Sequence, residues 1–372
     1  MKIAFLLPSE GNIPSGGNKV IYEYANGLAE RGHEVTLLHF AAAEPRLSTR
    51  TWRGKIRPMR YIGLALMGKW RPDNWFKLHP AVKVVLAPTP IRWFMPDADA
   101  YIAGWWSTAE RLAELKGLPG RKLYLLQHLE TWAAPEEDVM ATWTAPLEKI
   151  VIARWLGKIA EELGESAEYI PNGLDFSKFG CDVAPEEREA KRVAMLYNDG
   201  VTWKGSADGL EALALLKDRY PDLEAELFGV QERPLDLPAW IVYHQQPKQD
   251  ELRRIYNRAA IFIAPSHSEG WGLPPCEAMI SGAAVVATDI GGHREFTVDG
   301  ENALLVPAMN PSALAEAVGR LIEDKSLRIR IATTGNEQIQ RFTWDAAVDA
   351  FEQFLTRRPS SEKASAVAAH RS

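Results

Sequence analysis

The chain opens with a short apolar strand, a glycine-bearing loop and an amphipathic helix, and near residue 192 it does so again. In the first unit Ile3–Leu7 reads as a buried strand. Residues 9–17 form a loop carrying Gly11, Gly16 and Gly17. Val20, Ile21, Tyr24, Ala25, Leu28 and Ala29 then recur at helical spacing, Gly32 ends the helix, and Val35–Phe40 is the next strand. Strand, loop, helix, strand is the start of a parallel α/β sheet. The second unit places a strand at Val193–Tyr197, a loop at Asn198–Gly205 and a helix at Ala207–Leu216. Strands follow at Ala225–Phe228, Ile241–His244, Ile261–Ala264, Ala284–Thr288 and Ala303–Val306. A chain of 372 residues suits two such domains of about 150–190 residues each. We expect domains over 1–180 and 181–342, with Gly180–Arg192 as linker. A final helix, Ala346–Arg357 with Thr343 as N-cap, lies within 343–358, and residues 359–372 read as a disordered tail.

Composition removes several function classes. Lys and Arg total 43 against 49 Asp and Glu, a formal net charge of −6, so a nucleic-acid partner is not expected. Two cysteines, Cys181 and Cys276, allow neither a disulfide scaffold nor a cysteine-ligated zinc site, and they suit a reducing cytoplasm. No apolar run is long enough to span a membrane. One segment departs from the acidic average. Residues 46–78 carry Arg46, Arg50, Arg53, Lys55, Arg57, Arg60, Lys69, Arg71 and Lys77 against Asp73 alone, interleaved with Trp52, Tyr61, Trp70, Trp75 and Phe76. That composition fits an anionic membrane surface or a polyanionic acceptor. It equally fits a solvated loop whose aromatics pack on the domain.

The first loop is neither a Walker P-loop, since Gly17 stands where Lys is needed, nor a Gly-x-Gly-x-x-Gly dinucleotide fingerprint. Gly16 and Gly17 still lie at a strand-to-helix turn, where free amides and the helix dipole favour an anion. The richer stretch is Pro265–Met279, following the strand Ile261–Ala264 at the end of the sheet where α/β proteins bind ligands. Gly270 and Gly272 let the backbone approach a bound group, and Pro274 and Pro275 offer no N–H. A phosphate cradle there must use residues 270–273, Gly272 and Leu273 included, and the first free amides beyond Pro275. Glu277 reads as lying in the first turn of the following helix, where a carboxylate can also accept the paired hydroxyls of a ribose. Glu269 precedes it by eight residues on the loop. His267 and His293 flank this region, and Trp105-Trp106 stands either at an acceptor cleft or in the core.

Ser266-x-x-Glu269-Gly270-Trp271-Gly272-Leu273-Pro274-x-x-Glu277-Ala278-Met279, with Gly291-Gly292-x-x-Glu295 after it, resembles the retaining nucleotide-sugar glycosyltransferases of family 4. Gly16-Gly17, Gly32–Val35, Pro171–Asp175, Lys204-Gly205 and Asp299–Leu305 match further elements of that family in order. The resemblance implies the two-domain GT-B fold, with Rossmann-like parallel sheets facing a central cleft. It implies a nucleoside-diphosphate sugar as donor, a saccharide or lipid-linked acceptor, and no metal or other cofactor. By position, Glu277 would take the ribose hydroxyls and Glu269 those of the donor sugar. Gly16, Gly17, Lys204, Gly270, Gly272 and Leu273 would hold the diphosphate. His128, at the end of the strand Leu123–Leu126, would hydrogen-bond the sugar. Asn198 stands where the family commonly has an arginine sharing the diphosphate with Lys204, and Arg294 is the substitute cation the sequence suggests. A nucleotide-sugar epimerase and a non-catalytic sugar-nucleotide binder are the alternatives.

Overall fold

The computed structural model describes residues 1–9, 11, 14–42, 52–70, 72–198 and 200–357, with the backbone alone over 52–58. The expected tail from Pro359 lies outside the described residues. Two parallel sheets organise the chain. The first comprises β1 (Lys2–Pro8), β2 (Glu34–Phe40), β3 (Lys83–Ala87), β4 (Ala100–Ala103), β5 (Arg121–Leu126), β6 (Glu148–Val151) and β7 (Ala167–Tyr169), in the order β3-β2-β1-β4-β5-β6-β7. The second comprises β8 (Arg192–Leu196), β9 (Glu224–Gly229), β10 (Ile241–Gln245), β11 (Ile261–Ala264), β12 (Ala284–Thr288) and β13 (Leu304–Val306), in the order β10-β9-β8-β11-β12-β13. Central strands are buried on both faces, as the continuous runs in β1, β11 and β12 require.

Helices cross between the strands: α1 (Gly16–Glu30), α2 (Trp52–Leu66), α3 (Trp106–Glu114), α4 (Glu136–Trp143) and α5 (Arg154–Glu162) in the first lobe. In the second are α6 (Ser206–Arg219), α7 (Gln249–Arg258), α8 (Leu273–Ile280), α9 (Pro311–Glu323) and α10 (Lys325–Ile339). The Ser15 side chain caps α1 through the Asn18 amide, and Gly32 terminates it at φ +84°. The last helix, α11 (Trp344–Thr356), is capped by Thr343 and returns to the first lobe. Its Phe351 meets Tyr24 of α1 at 4.5 Å between ring centroids, and Arg31 pairs with Asp349 at 2.6 Å.

In each sheet the strand order reverses beside its first strand, at β1/β4 and at β8/β11. Loops diverge at such a switch point and leave a crevice beyond the strand ends. The loops after β1, β8 and β11 carry the expected donor residues.

Two expectations change. Residues 180–192 are no free linker: Arg188 is buried and donates to the carbonyls of Val183, Tyr256, Ala259 and Ser281, which fastens the segment to the second lobe. A guanidinium's five donors need that many acceptors once out of water. In the basic segment, Tyr61, Trp70 and Phe76 are buried, and Trp75 packs half-buried against the core. Trp70 Nε1 donates to Ser9 O and Trp75 Nε1 to Gly11 O, both at 2.9 Å, so these indoles brace the first loop. Arg46, Arg50, Arg71 and the side chains of Trp52, Arg53, Lys55 and Arg57 lie outside what the structure describes. Arg60, Lys69 and Lys77 are exposed.

Candidate active site

The centre is built by the loops after β8 and β11, which the switch point brings together. Gly205 has φ +63°, and a Cβ there would stand 2.0 Å from Pro265 O, so only glycine permits the approach. The His267 amide donates to Trp203 O at 2.7 Å, and its Nε2 meets Asp208 Oδ2 of α6 at 2.7 Å. His267 thus ties the two loops to α6. Lys204 Nζ then donates to both oxygens of Glu269, at 2.7 and 2.9 Å, and the Ser266 hydroxyl adds a bond of 2.8 Å. Burial pushes the Glu269 carboxyl up, but Lys204, His293 and the Ser266 hydroxyl together outweigh it and hold the group below its ordinary range. Glu269 is a carboxylate.

Gly272, at φ +101°, breaks the chain so that α8 starts at Leu273. A Cβ on Gly272 would lie 2.9 Å from His293 Cδ2, and His293 is itself fully buried, its Nδ1 donating to Thr288 O at 2.8 Å. With prolines at the next two positions, Gly272 and Leu273 hold the helix-entry amides left to face an anion. Glu277 is the fifth residue of α8 and stands in its second turn, which corrects the expected first-turn position. Side chains hold it instead: the Tyr256 hydroxyl donates to one oxygen at 3.0 Å, and Lys19 Nζ of α1 donates to the other at 3.2 Å. The second contact crosses from the first lobe. Neither Tyr256 nor Lys19 was legible as a partner, because they lie 21 and 258 residues from Glu277.

The facing wall comes from β5 and α1. His128 Nδ1 accepts the Leu129 amide at 2.8 Å, which leaves Nε2 as the N–H, 3.5 Å from the Ser268 hydroxyl. Burial pulls the His128 pKa down to about 4, against an opposing pull from Glu269. The ring is therefore a neutral donor at physiological pH. Gly270 lies so close to this wall that a Cβ on it would stand 1.8 Å from Gln127 O. Gln127 in turn donates to Gly17 O at 3.3 Å. Gly16 and Gly17 are the first two residues of α1, where amides have no intrahelical acceptor. Trp106 is core and Trp105 packs half-buried on it, so the core reading of that pair holds.

Asn198 carries no cation into this site. Its Oδ1 accepts from Gln231 at 2.9 Å and its amide bonds the Ser206 hydroxyl. Arg294 does not substitute: it grips Asp289 at 2.5 and 2.7 Å with its side chain largely in water. The lobes are joined by contacts the sequence did not disclose. Trp155 Nε1 donates to Gly270 O at 3.1 Å, the Arg154 amide and Tyr169 hydroxyl donate to Glu295 at 2.5 and 2.8 Å, and the tilted rings of Trp132 and Trp203 meet at 4.4 Å between centroids. Among the described residues no three His, Cys, Asp or Glu side chains converge as a metal site, and no helix is long and apolar enough to cross a membrane.

Residues 182–338 match the family model described as glycosyl transferases group 1. The phosphatidyl-myo-inositol mannosyltransferase of Mycolicibacterium smegmatis is 27% identical over 365 residues, covering 92% of this chain and 90% of that protein. A D-inositol 3-phosphate glycosyltransferase of Corynebacterium urealyticum is 32% identical over 159 residues, 38% of this chain and 37% of its own length. Among solved structures, the sucrose-phosphate synthase of Thermosynechococcus elongatus shares the fold with a TM-score of 0.73 at 17% identity, covering 95% of this chain and 98% of that one. Anabaena Alr3699/HepE, solved in complex with UDP and glucose, shares it with a TM-score of 0.70 at 16% identity over 96% and 99%. The second lobe thus matches the glycosyl transferases group 1, a named mannosyltransferase resembles 92% of the chain, and the two parallel-sheet lobes carry the GT-B fold.

Proposed function

We propose that this glycosyltransferase is a retaining enzyme of family 4 that moves a hexose from a nucleoside-diphosphate sugar to an acceptor hydroxyl, without a metal, in building a surface polysaccharide or glycolipid. The observation that carries this is the Lys204–Glu269 pair at the switch point of the second sheet, faced by the neutral N–H of His128. Glu269 accepts hydroxyls of the donor sugar and His128 Nε2 donates to another. Glu277 takes the ribose. Lys204 and the amides of Gly16, Gly17, Gly270, Gly272 and Leu273 stabilise the charge that develops on the departing diphosphate. Asn198 adds a neutral contact. The departing phosphate oxygen then accepts the acceptor's proton on the face it leaves, which retains configuration.

A thermal-shift screen with UDP, GDP, ADP and their sugars tests this. One base should raise the melting temperature by several degrees, since a ligand at 100 times its Kd adds about 2.7 kcal/mol. Glu269→Gln should fold and lose roughly a hundredfold or more in transfer. No shift with any nucleotide, or full activity in the variant, would overturn the reading.

Two relatives act, by name, on inositol compounds, one of them a phospholipid. We infer a saccharide or lipid-linked acceptor, and a place on the inner, cytoplasmic face of an anionic membrane. Exposed Met59, Leu66 and Met67 beside Arg60 and Lys69 support that placement. In vesicle co-sedimentation, recovery should be several-fold higher with anionic than with neutral lipid, and equal recovery removes the membrane part.

A further inference from the structure

A nucleoside diphosphate brings at least two negative charges into the cleft, and the residues around it must answer them. Lys204 is held by Glu269 through two contacts below 3 Å. Asn198 is neutral and engaged with Gln231, and Arg294 is spent on Asp289. Lys19 differs. It is the fourth residue of α1, in the same helical turn as Gly16 and Gly17, and its side chain is a quarter exposed. It reaches over the gap on a single hydrogen bond of 3.2 Å to Glu277 Oε1. Its ammonium also lies 6.0 Å from the Phe179 ring centroid, a contact that asks for no fixed direction.

Glu277 cannot serve Lys19 and a ribose equally. Two ribose hydroxyls donating to its oxygens would take the place of the Lys19 N–H, while the Tyr256 hydroxyl keeps its own bond. The released ammonium then stands beside the ribose on a flexible four-carbon stem, within a few ångströms of where a 5′-phosphate must sit. A compact cation with three rotatable donors is suited to a diphosphate that arrives and leaves in every cycle. Resting on the nucleotide-sugar reading above, we propose that Lys19 is the first lobe's ligand for the donor diphosphate, held by Glu277 until the ribose of a donor displaces it and then handed to the phosphates. It supplies the second cation that Asn198 does not, and it makes the first lobe a sensor of the diphosphate.

The test is calorimetric titration of the full chain with UDP, GDP and ADP, and with uridine, guanosine and adenosine. For the base that binds, Lys19→Gln should weaken the diphosphate about tenfold while the plain nucleoside changes less than twofold or tightens. Lys19→Arg should recover most of the loss, and the diphosphate's salt dependence should flatten in Lys19→Gln alone. A variant that binds the diphosphate as tightly as the parent overturns the proposal. So does one that loses nucleoside and diphosphate equally, because a purely structural Lys19 would act on both. A parent protein that binds none of the six compounds defeats the nucleotide-sugar reading itself, and this inference with it.

Discussion

Glu130 is a carboxyl group shut away from water. It is 2% exposed at φ +61°, and one oxygen takes the Trp106 amide at 2.8 Å and the Tyr124 hydroxyl at 3.4 Å. Burial pushes its pKa from 4.5 up to about 8, and the two hydrogen bonds only partly oppose the rise. The folded chain therefore binds a proton that the unfolded chain has released across that window. The stability this contributes is complete below about pH 4.5 and is lost as pH rises towards 8. Glu130→Gln keeps an acceptor for Trp106 and removes the titration. Urea midpoints at pH 5, 6.5 and 8 should fall with pH in the parent and flatten in the variant; an equally steep fall would assign the effect to another group. Glu130 was invisible in the sequence, whereas Glu269, Lys204 and Glu277 were legible because their motif is local. What the motif did not disclose is who holds each acid, since Lys204 and Lys19 lie 65 and 258 residues away.

At the scale of elements, the apolar runs Ile261–Ala264 and Ala284–Thr288 became strands with the bounds read from them, because a strand buried on both faces leaves an unbroken apolar signature. The outer strands Lys83–Ala87 and Ala167–Tyr169 went unread: they are largely half-exposed and carry lysine and glutamate. Helix α5 shows a different limit. Its N-cap, Ala153, has no side-chain acceptor to offer, and the first amide is taken by Glu295 from the other lobe. The same carboxylate accepts the Tyr169 hydroxyl and Arg154 Nη1. Glu295→Ala strips the cap and leaves the part-buried Arg154 amide and Tyr169 hydroxyl without their acceptor, at a cost of about 2–4 kcal/mol. Calorimetry should show a melting temperature several degrees lower, and small-angle scattering a larger radius of gyration as the lobes part. An unchanged melting temperature would mean that α5 is held by other contacts.

At the scale of the molecule, the repeated strand-loop-helix opening was enough to foresee two parallel sheets, since that pattern admits few other topologies. The way the lobes meet was not foreseeable. It rests on single atoms such as Trp155 Nε1 on Gly270 O, and on the ring contact between Trp132 and Trp203. The expected linker proved to be anchored by Arg188, so the passage between lobes falls earlier, around Pro171–Phe179. The return passage, just before α11, runs alongside it. The Leu174 amide donates to Phe342 O at 2.9 Å, and a Cβ on Gly173 would strike Trp344 Cα at 2.5 Å. Two threads laid edge to edge resemble the spine of a book, a geometry that favours swinging about that line over swivelling or sliding across it.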